Sequence, residues 1–139
     1  MSTISYVMLN HKNEYNYVGE AIRGDASYGQ GDGLHTVSAR VTNFIGRLYI
    51  EATLASQPSE TDWFPVFLTS GANYYQFPQS NLDTNTSERA TTTVGFSFRV
   101  NAMFLRARVD RSYIFEGSEQ IPGFSVANYG GVEEVLLNV

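Results

Sequence analysis

Two histidines, His11 and His35, are the whole imidazole inventory of this 139-residue chain. They are far apart, neither falls in a His-x-x-x-His spacing, and neither sits beside a nucleophile. They therefore assemble neither a zinc site nor a base-activated nucleophile. His35 comes just before a predicted strand, where a capping hydrogen bond is its expected role. There is no cysteine, which removes thiol catalysis, thiolate metal sites and disulfides together. Glu51 is the best-placed carboxylate on a strand. A glycosidase would need a second carboxyl across a cleft and a raised pKa on one of the two. Arg47, four residues away, and other outward arginines make Glu51 an ion-pair partner instead. No catalytic constellation is found, and the chain is expected not to be an enzyme.

Two long connections hold the remaining ligand-type residues. The first runs from Gly24 to Gly33 and contains four of the twelve glycines. It lacks the Gly-Lys-Ser/Thr ending of a phosphate loop and opens no helix, so it offers no helix N-terminus to an anion. Arg23-Gly24-Asp25 matches a tripeptide that some cell-surface receptors read, but Arg23 is expected to end a strand. Asp25, Asp32 and Asp62 carry oxygens of the kind calcium takes, without the spacing of a calcium loop. No metal or cofactor is implied. The second connection, Gly71 to Thr92, is rich in Asn, Ser, Thr and Gln and carries Tyr74, Tyr75 and Phe77. Connections of this length usually serve a function or contact something.

Charge says more than the ligand residues do. Nine basic residues face fourteen acidic ones, for a net charge of −5, and all the basic residues except Lys12 are arginine. A net negative chain is ill suited to a sequence-independent grip on nucleic acid or an anionic membrane. Arg40, Arg47, Arg99, Arg106 and Arg108 fall on the solvent side of predicted strands. Arginine offers a rigid donor fork and stacks on aromatic rings, and interfaces favour it while depleting lysine. These five, with Trp63, Tyr74, Tyr75 and Phe77, form the expected interaction surface. The competing expectation is a surface ladder of Arg–Glu pairs, each worth under about 1 kcal/mol.

The elements that must position these residues repeat every second residue. Val37, Ala39 and Val41 alternate with polar neighbours, as do Leu48, Ile50, Ala52 and Leu54. Val94, Phe96, Phe98 and Val100, then Leu105, Ala107 and Val109, do the same, which marks four half-buried strands. Shorter strands are expected within 15–23, 64–69 and 132–138, with 4–9 ambiguous. Asn43 to Gly46 and Val100 to Met103 read as hairpin turns, with Gly46 and Asn101 able to take positive φ. No stretch keeps a helical period over three turns. The fold class is all-β, an antiparallel β-sandwich or jelly-roll-like single domain over 1–139. At 42% hydrophobic and 17% charged the chain is globular, and at this length about two-thirds of its surface can be buried without a staple. The N-terminus shows no secretory leader, and no apolar run approaches the roughly 18 residues of a membrane span. A soluble protein made in a cytoplasm is expected.

Thr61-Asp62-Trp63-Phe64-Pro65-Val66 follows the predicted strand Gly46-Arg47-Leu48-Tyr49-Ile50-Glu51-Ala52-Thr53-Leu54. In physical terms Trp63 and Phe64 would plug one end of a sandwich, with Pro65 restricting strand pairing. The run also resembles a pattern in tailed-phage structural proteins, in which a Gly-x-hydrophobic-Tyr-Ile-Glu-Ala/Gly-Ser/Thr-Leu strand precedes Asp-Trp-Phe. From Gly31 onward the chain is similar to virion structural proteins of contractile-tailed phages of marine cyanobacteria. The stretches that carry the likeness are Asp32 to Ser38, Phe104 to Tyr113 and Tyr129 to Asn138. The resemblance implies a virion component present in many copies, working through contact with other virion proteins and copies of itself. It places the chain in a head decoration, neck, collar, tail or baseplate, and carries over no catalytic or ligand residue. A carbohydrate-binding module using Trp63, Tyr74, Tyr75, Asp83 and Asn85 is the alternative. A glycan is then a further candidate partner.

Overall fold

A computed structural model describes residues 5–12, 16–24, 33–68, 72–77, 91–111 and 130–138. Among the described residues ten strands form: β1 (Ser5–Lys12), β2 (Tyr17–Val18), β3 (Ile22–Arg23), β4 (Leu34–Thr42), β5 (Gly46–Thr53), β6 (Phe64–Pro65), β7 (Tyr75–Phe77), β8 (Thr92–Arg99), β9 (Phe104–Asp110) and β10 (Gly131–Asn138). One sheet has the order β1-β10-β4-β8. The other runs β2-β9-β5-β6, with β3 also on β9 and β7 also on β5. Every pairing among these strands is antiparallel.

The topology follows from nested pairing. The first strand pairs with the last, β2 and β3 with β9, β4 with β8, and β5 with β6 and β7. This is one long antiparallel ribbon folded at its middle and then rolled, so that β10 meets β4 and β9 meets β5. The result is an all-β sandwich with the strand order of a jelly roll. Apolar residues at every second position fill the space between the sheets. Val37, Ala39, Val41, Leu48, Ile50, Ala52, Leu105, Ala107 and Val109 are buried there, as alternation predicts. Where the period breaks, the ladder is bulged. Met8 and Leu9 are consecutive and both buried, beside a register shift between Val7 and Leu9. The inward positions of β10 step from Val132 to Val135 across a shift between Val132 and Glu134.

Several expectations need correction. The turns at 43–46 and 100–103 are not hairpins, because β4 and β8 lie in one sheet while β5 and β9 lie in the other. They are corners that carry the chain between sheets. At the first corner Asn43, rather than Gly46, takes positive φ (53°), which asparagine tolerates through its short polar side chain. Gly46 matters for closeness: a Cβ there would sit 2.6 Å from the Phe44 ring. Leu54 leaves the alternation and is exposed. Of the strand expected over 15–23, the described residues 16–23 hold two short strands, and of the one expected over 64–69, the described residues 64–68 hold only β6. β7 lies in a stretch expected to be a loop, and the ambiguous N-terminal segment is β1. Among the described residues the helical content is a single 3₁₀ turn, Glu60–Asp62.

Arg111 pins the corner next to the 43–46 turn. It is fully buried just after β9, with its guanidinium carbon 4.8 Å from the Phe44 ring centre and Nη2 donating to the Gly130 carbonyl at 2.9 Å. Its backbone N–H donates to Asn16 Oδ1 at 2.7 Å. One cation thus ties the end of β9, the first corner and the entry to β10.

Candidate functional site

The outer face of the second sheet is built from two alternating strands in register. Odd residues of β5 and even residues of β9 point away from the core, and the pairing sets Arg47 opposite Asp110, Tyr49 opposite Arg108 and Glu51 opposite Arg106. Glu51 and Arg106 are mostly buried even so, each with a side chain 9% exposed. The cover comes from the segment 54–63, which folds back over this end of the sheet. Thr53 Oγ1 accepts from the Ala55 backbone N–H, which starts the reversal. At its far end Ser59 donates to Asp62 Oδ2 from both backbone N (2.7 Å) and Oγ (3.1 Å), fixing the 3₁₀ turn.

That turn delivers Glu60 and Trp63 to Arg106. The guanidinium stacks over the Trp63 ring at 4.2 Å, donates through Nε to Glu51 Oε1 at 2.8 Å, and reaches both carboxylate oxygens of Glu60 at 3.2 and 3.3 Å. Glu51 uses its second oxygen to accept from Arg108 Nε at 2.9 Å. Arg108 in turn lies 4.0 Å over the Tyr49 ring, Tyr49 meets Tyr74 at 5.6 Å, and Arg47 covers Tyr74 at 4.4 Å. Arg47 Nε donates to Gln76 Oε1 at 3.1 Å. The outcome is a continuous strip: Arg47, Tyr74, Tyr49, Arg108, Glu51, Arg106, Trp63. Hydrogen bonding and the charge of Arg106 hold the Glu60 carboxyl below its ordinary range. Burial opposes the charge on Arg106, but its bonds to Glu60 and Glu51 outweigh that and raise its pKa.

The expected surface divides. Arg40 and Arg99 lie on β4 and β8, in the first sheet, while Arg47, Arg106 and Arg108 lie on the second. All five point outward, yet they occupy opposite faces of the sandwich, so there is no single arginine face. Arg40 stands 3.8 Å from Glu134. Arg106 is a buried structural residue, contrary to its expected exposure. Tyr75 and Phe77 are withdrawn from the surface: Tyr75 packs on Phe77 and Phe96, and Phe77 is buried in the core. Trp63 covers the sheet's outer face instead of plugging an end. Phe64 is exposed, and Pro65 sits in β6 opposite Glu51. Glu51 is an ion-pair partner as expected, though of Arg106 and Arg108 and not of Arg47.

The residues missed from sequence are Tyr49, Gln76 and Glu60. Tyr49 had a signal, since alternation places it outward between Arg47 and Glu51. Glu60 had none, because its role depends on a chain reversal.

His35 is fully buried, stacked on Phe98 at 5.8 Å, and its Nδ1 donates to the Gly33 carbonyl at 2.9 Å. Arg23 ends β3, as expected. Asp62 is held by Ser59, while Asp25, Asp32, Asp83, Asn85 and the side chain of His11 lie outside the described residues. Among the described residues no three His, Asp or Glu side chains gather as a metal site would require. Comparison of the chain with family profiles, curated proteins and solved structures returns no match.

Proposed function

We propose that this protein is a non-enzymatic structural subunit of a phage particle, acting through protein–protein contact in the head, neck, tail or baseplate. The observation that carries the proposal is the strip on the second sheet. Its guanidinium groups are already matched to carboxylates or laid over rings, so the surface is preformed and nearly charge-balanced. Tyr, Trp and Arg supply most interface hot spots, and side chains held in place before binding lose little entropy on docking. The jelly-roll strand order is compatible with this, being an architecture of viral capsid and lectin domains alike. A sugar would need an open aromatic face. Arg106 and Arg47 each cover one face of Trp63 and Tyr74, and Tyr75 is turned to the core, so the carbohydrate alternative is the weaker one.

The test substitutes the outer end of the strip, because Arg106 is part of the fold. Arg47→Glu with Tyr74→Ala leaves the Glu51 network in place and is expected to cut incorporation into particles about tenfold or more, with the melting midpoint near wild type. Incorporation at the wild-type level would remove this face from the contact. A glycan array addresses the alternative: binding that Trp63→Ala abolishes would replace the assembly proposal.

A further inference from the structure

The two edges of the first sheet are built differently. β1 carries the bulge between Val7 and Leu9, one of the features that keep edge strands from pairing. β8 has no bulge: Thr92 to Arg99 pair with Val41 to Leu34 without a register shift. Its sequence, TTVGFSFR, contains no proline and no lysine, and its one charge is the last residue. Among the described residues β8 has a hydrogen-bonded strand on one side only. Beside it runs a groove of about 600 Å³ with Phe64–Leu68 on one wall and Ser97–Val100 on the other. Phe67 in that wall is 66% exposed. A long, unbulged, nearly uncharged edge next to an apolar groove is a template for another strand.

We infer that β8 pairs antiparallel with β8 of a second copy, about a twofold axis through Phe96, joining two four-stranded sheets into one. The strand is self-complementary in that register. Toward the core, Val94 meets Phe98 of the second copy, Phe96 meets its equivalent, and Phe98 meets Val94, which are favourable aromatic and aromatic–aliphatic pairs. On the outer face Gly95 meets Ser97 and Thr93 meets Arg99. The two Arg99 side chains stay at opposite ends, so no like charges oppose. Val94 of the second copy arrives opposite Phe98, at the mouth of the groove. Each strand is already formed, so pairing carries no cost of ordering a loose segment. The interface is isologous and closes as a dimer. It names one contact within the assembly proposed above and rests on that proposal only for its setting.

The test is the association state of the full chain by sedimentation equilibrium from low to high micromolar concentration. The wild type is expected to be a reversible dimer. Gly95 and Ser97 are both exposed, and a Cβ on Gly95 has ordinary space, 3.8 Å from the Val37 carbonyl oxygen. In the double variant G95K/S97K lysines face each other twice across the axis, and association is expected to weaken about tenfold or more. The variant G95K/S97E puts opposite charges at the same places and is expected to restore it. Thermal melts at low concentration check that each monomer still folds. A wild type that stays monomeric, a dimer indifferent to G95K/S97K, or a G95K/S97E chain as weak as G95K/S97K would each overturn the pairing. A monomer that still enters particles overturns the pairing alone; a dimer with no place in the particle overturns the assembly proposal alone.

Discussion

Glu51→Gln removes a carboxylate that bridges two arginines, Arg106 and Arg108, on the outer face. The glutamine keeps one acceptor oxygen and turns an NH₂ toward the other guanidinium, so one charge-assisted hydrogen bond is lost outright, about 1.5–3 kcal/mol. Breaking a fully buried pair costs roughly 3–5 kcal/mol, but here the loss is cushioned. Arg106 keeps Glu60 and Trp63, and the Arg108 side chain is 29% exposed and stands 3.7 Å from Asp110. About 2–3 kcal/mol is the expected loss, from one such bond and a partly offset buried charge. At roughly 2.1 cal/mol/K per residue, that lowers the melting midpoint by about 7–10 °C. Urea titration followed by circular dichroism reads the same loss as a lower midpoint at unchanged slope. Glu60→Gln touches the same guanidinium from a side chain that is 83% exposed, and is expected to leave the midpoint close to wild type. A Glu51→Gln chain as stable as wild type, or a Glu60→Gln chain equally weakened, would refute the claim that burial decides which contact holds the strip.

Other perturbations probe separate parts. Glu60 has a folded pKa below its ordinary 4.5, so its bond to Arg106 stabilises the fold above that value and is lost as pH falls through the lowered one. Fluorescence of Trp63, the sole tryptophan, should hold steady from neutral pH to below 4.5 and then shift, a step that Glu60→Gln abolishes; a midpoint above 4.5 would contradict this. Gly130 has φ +63° and a Cβ there would clash with the Asn43 carbonyl, so Gly130→Ala should cost upwards of about 2 kcal/mol, whereas Gly95→Ala should be tolerated in the same melt. Arg111→Met takes the guanidinium donor from the Gly130 carbonyl, and a loss of about 1–3 kcal/mol in urea titration is expected.

Alternation made much of this fold legible. Val37, Ala39, Val41 and Leu105, Ala107, Val109 announce which side of a strand is wet. Alternation carries no information on which sheet a strand joins. That is why Arg40 and Arg99 looked like companions of Arg47, Arg106 and Arg108 although the core lies between them. The corner at 43–46 reads as a hairpin for a related reason: a turn needing positive φ looks the same in sequence whether it closes a hairpin or crosses between sheets. Tyr75–Phe77 is too short a strand to show a period, and its inward aromatics resemble an exposed cluster. Glu51 was recognisable as an ion-pair partner from its strand and neighbours. The stacking of Trp63 on Arg106 was not, since the two meet only when 54–63 reverses over a strand more than forty residues on.

Quantitative mass spectrometry of purified particles is the decisive experiment on the proposal that this chain is a repeated structural part of a phage particle. The chain is expected at a fixed copy number, many per particle and in constant ratio to the major structural proteins across preparations. Its absence from particles, or a trace amount that varies between preparations and washes away, would contradict it.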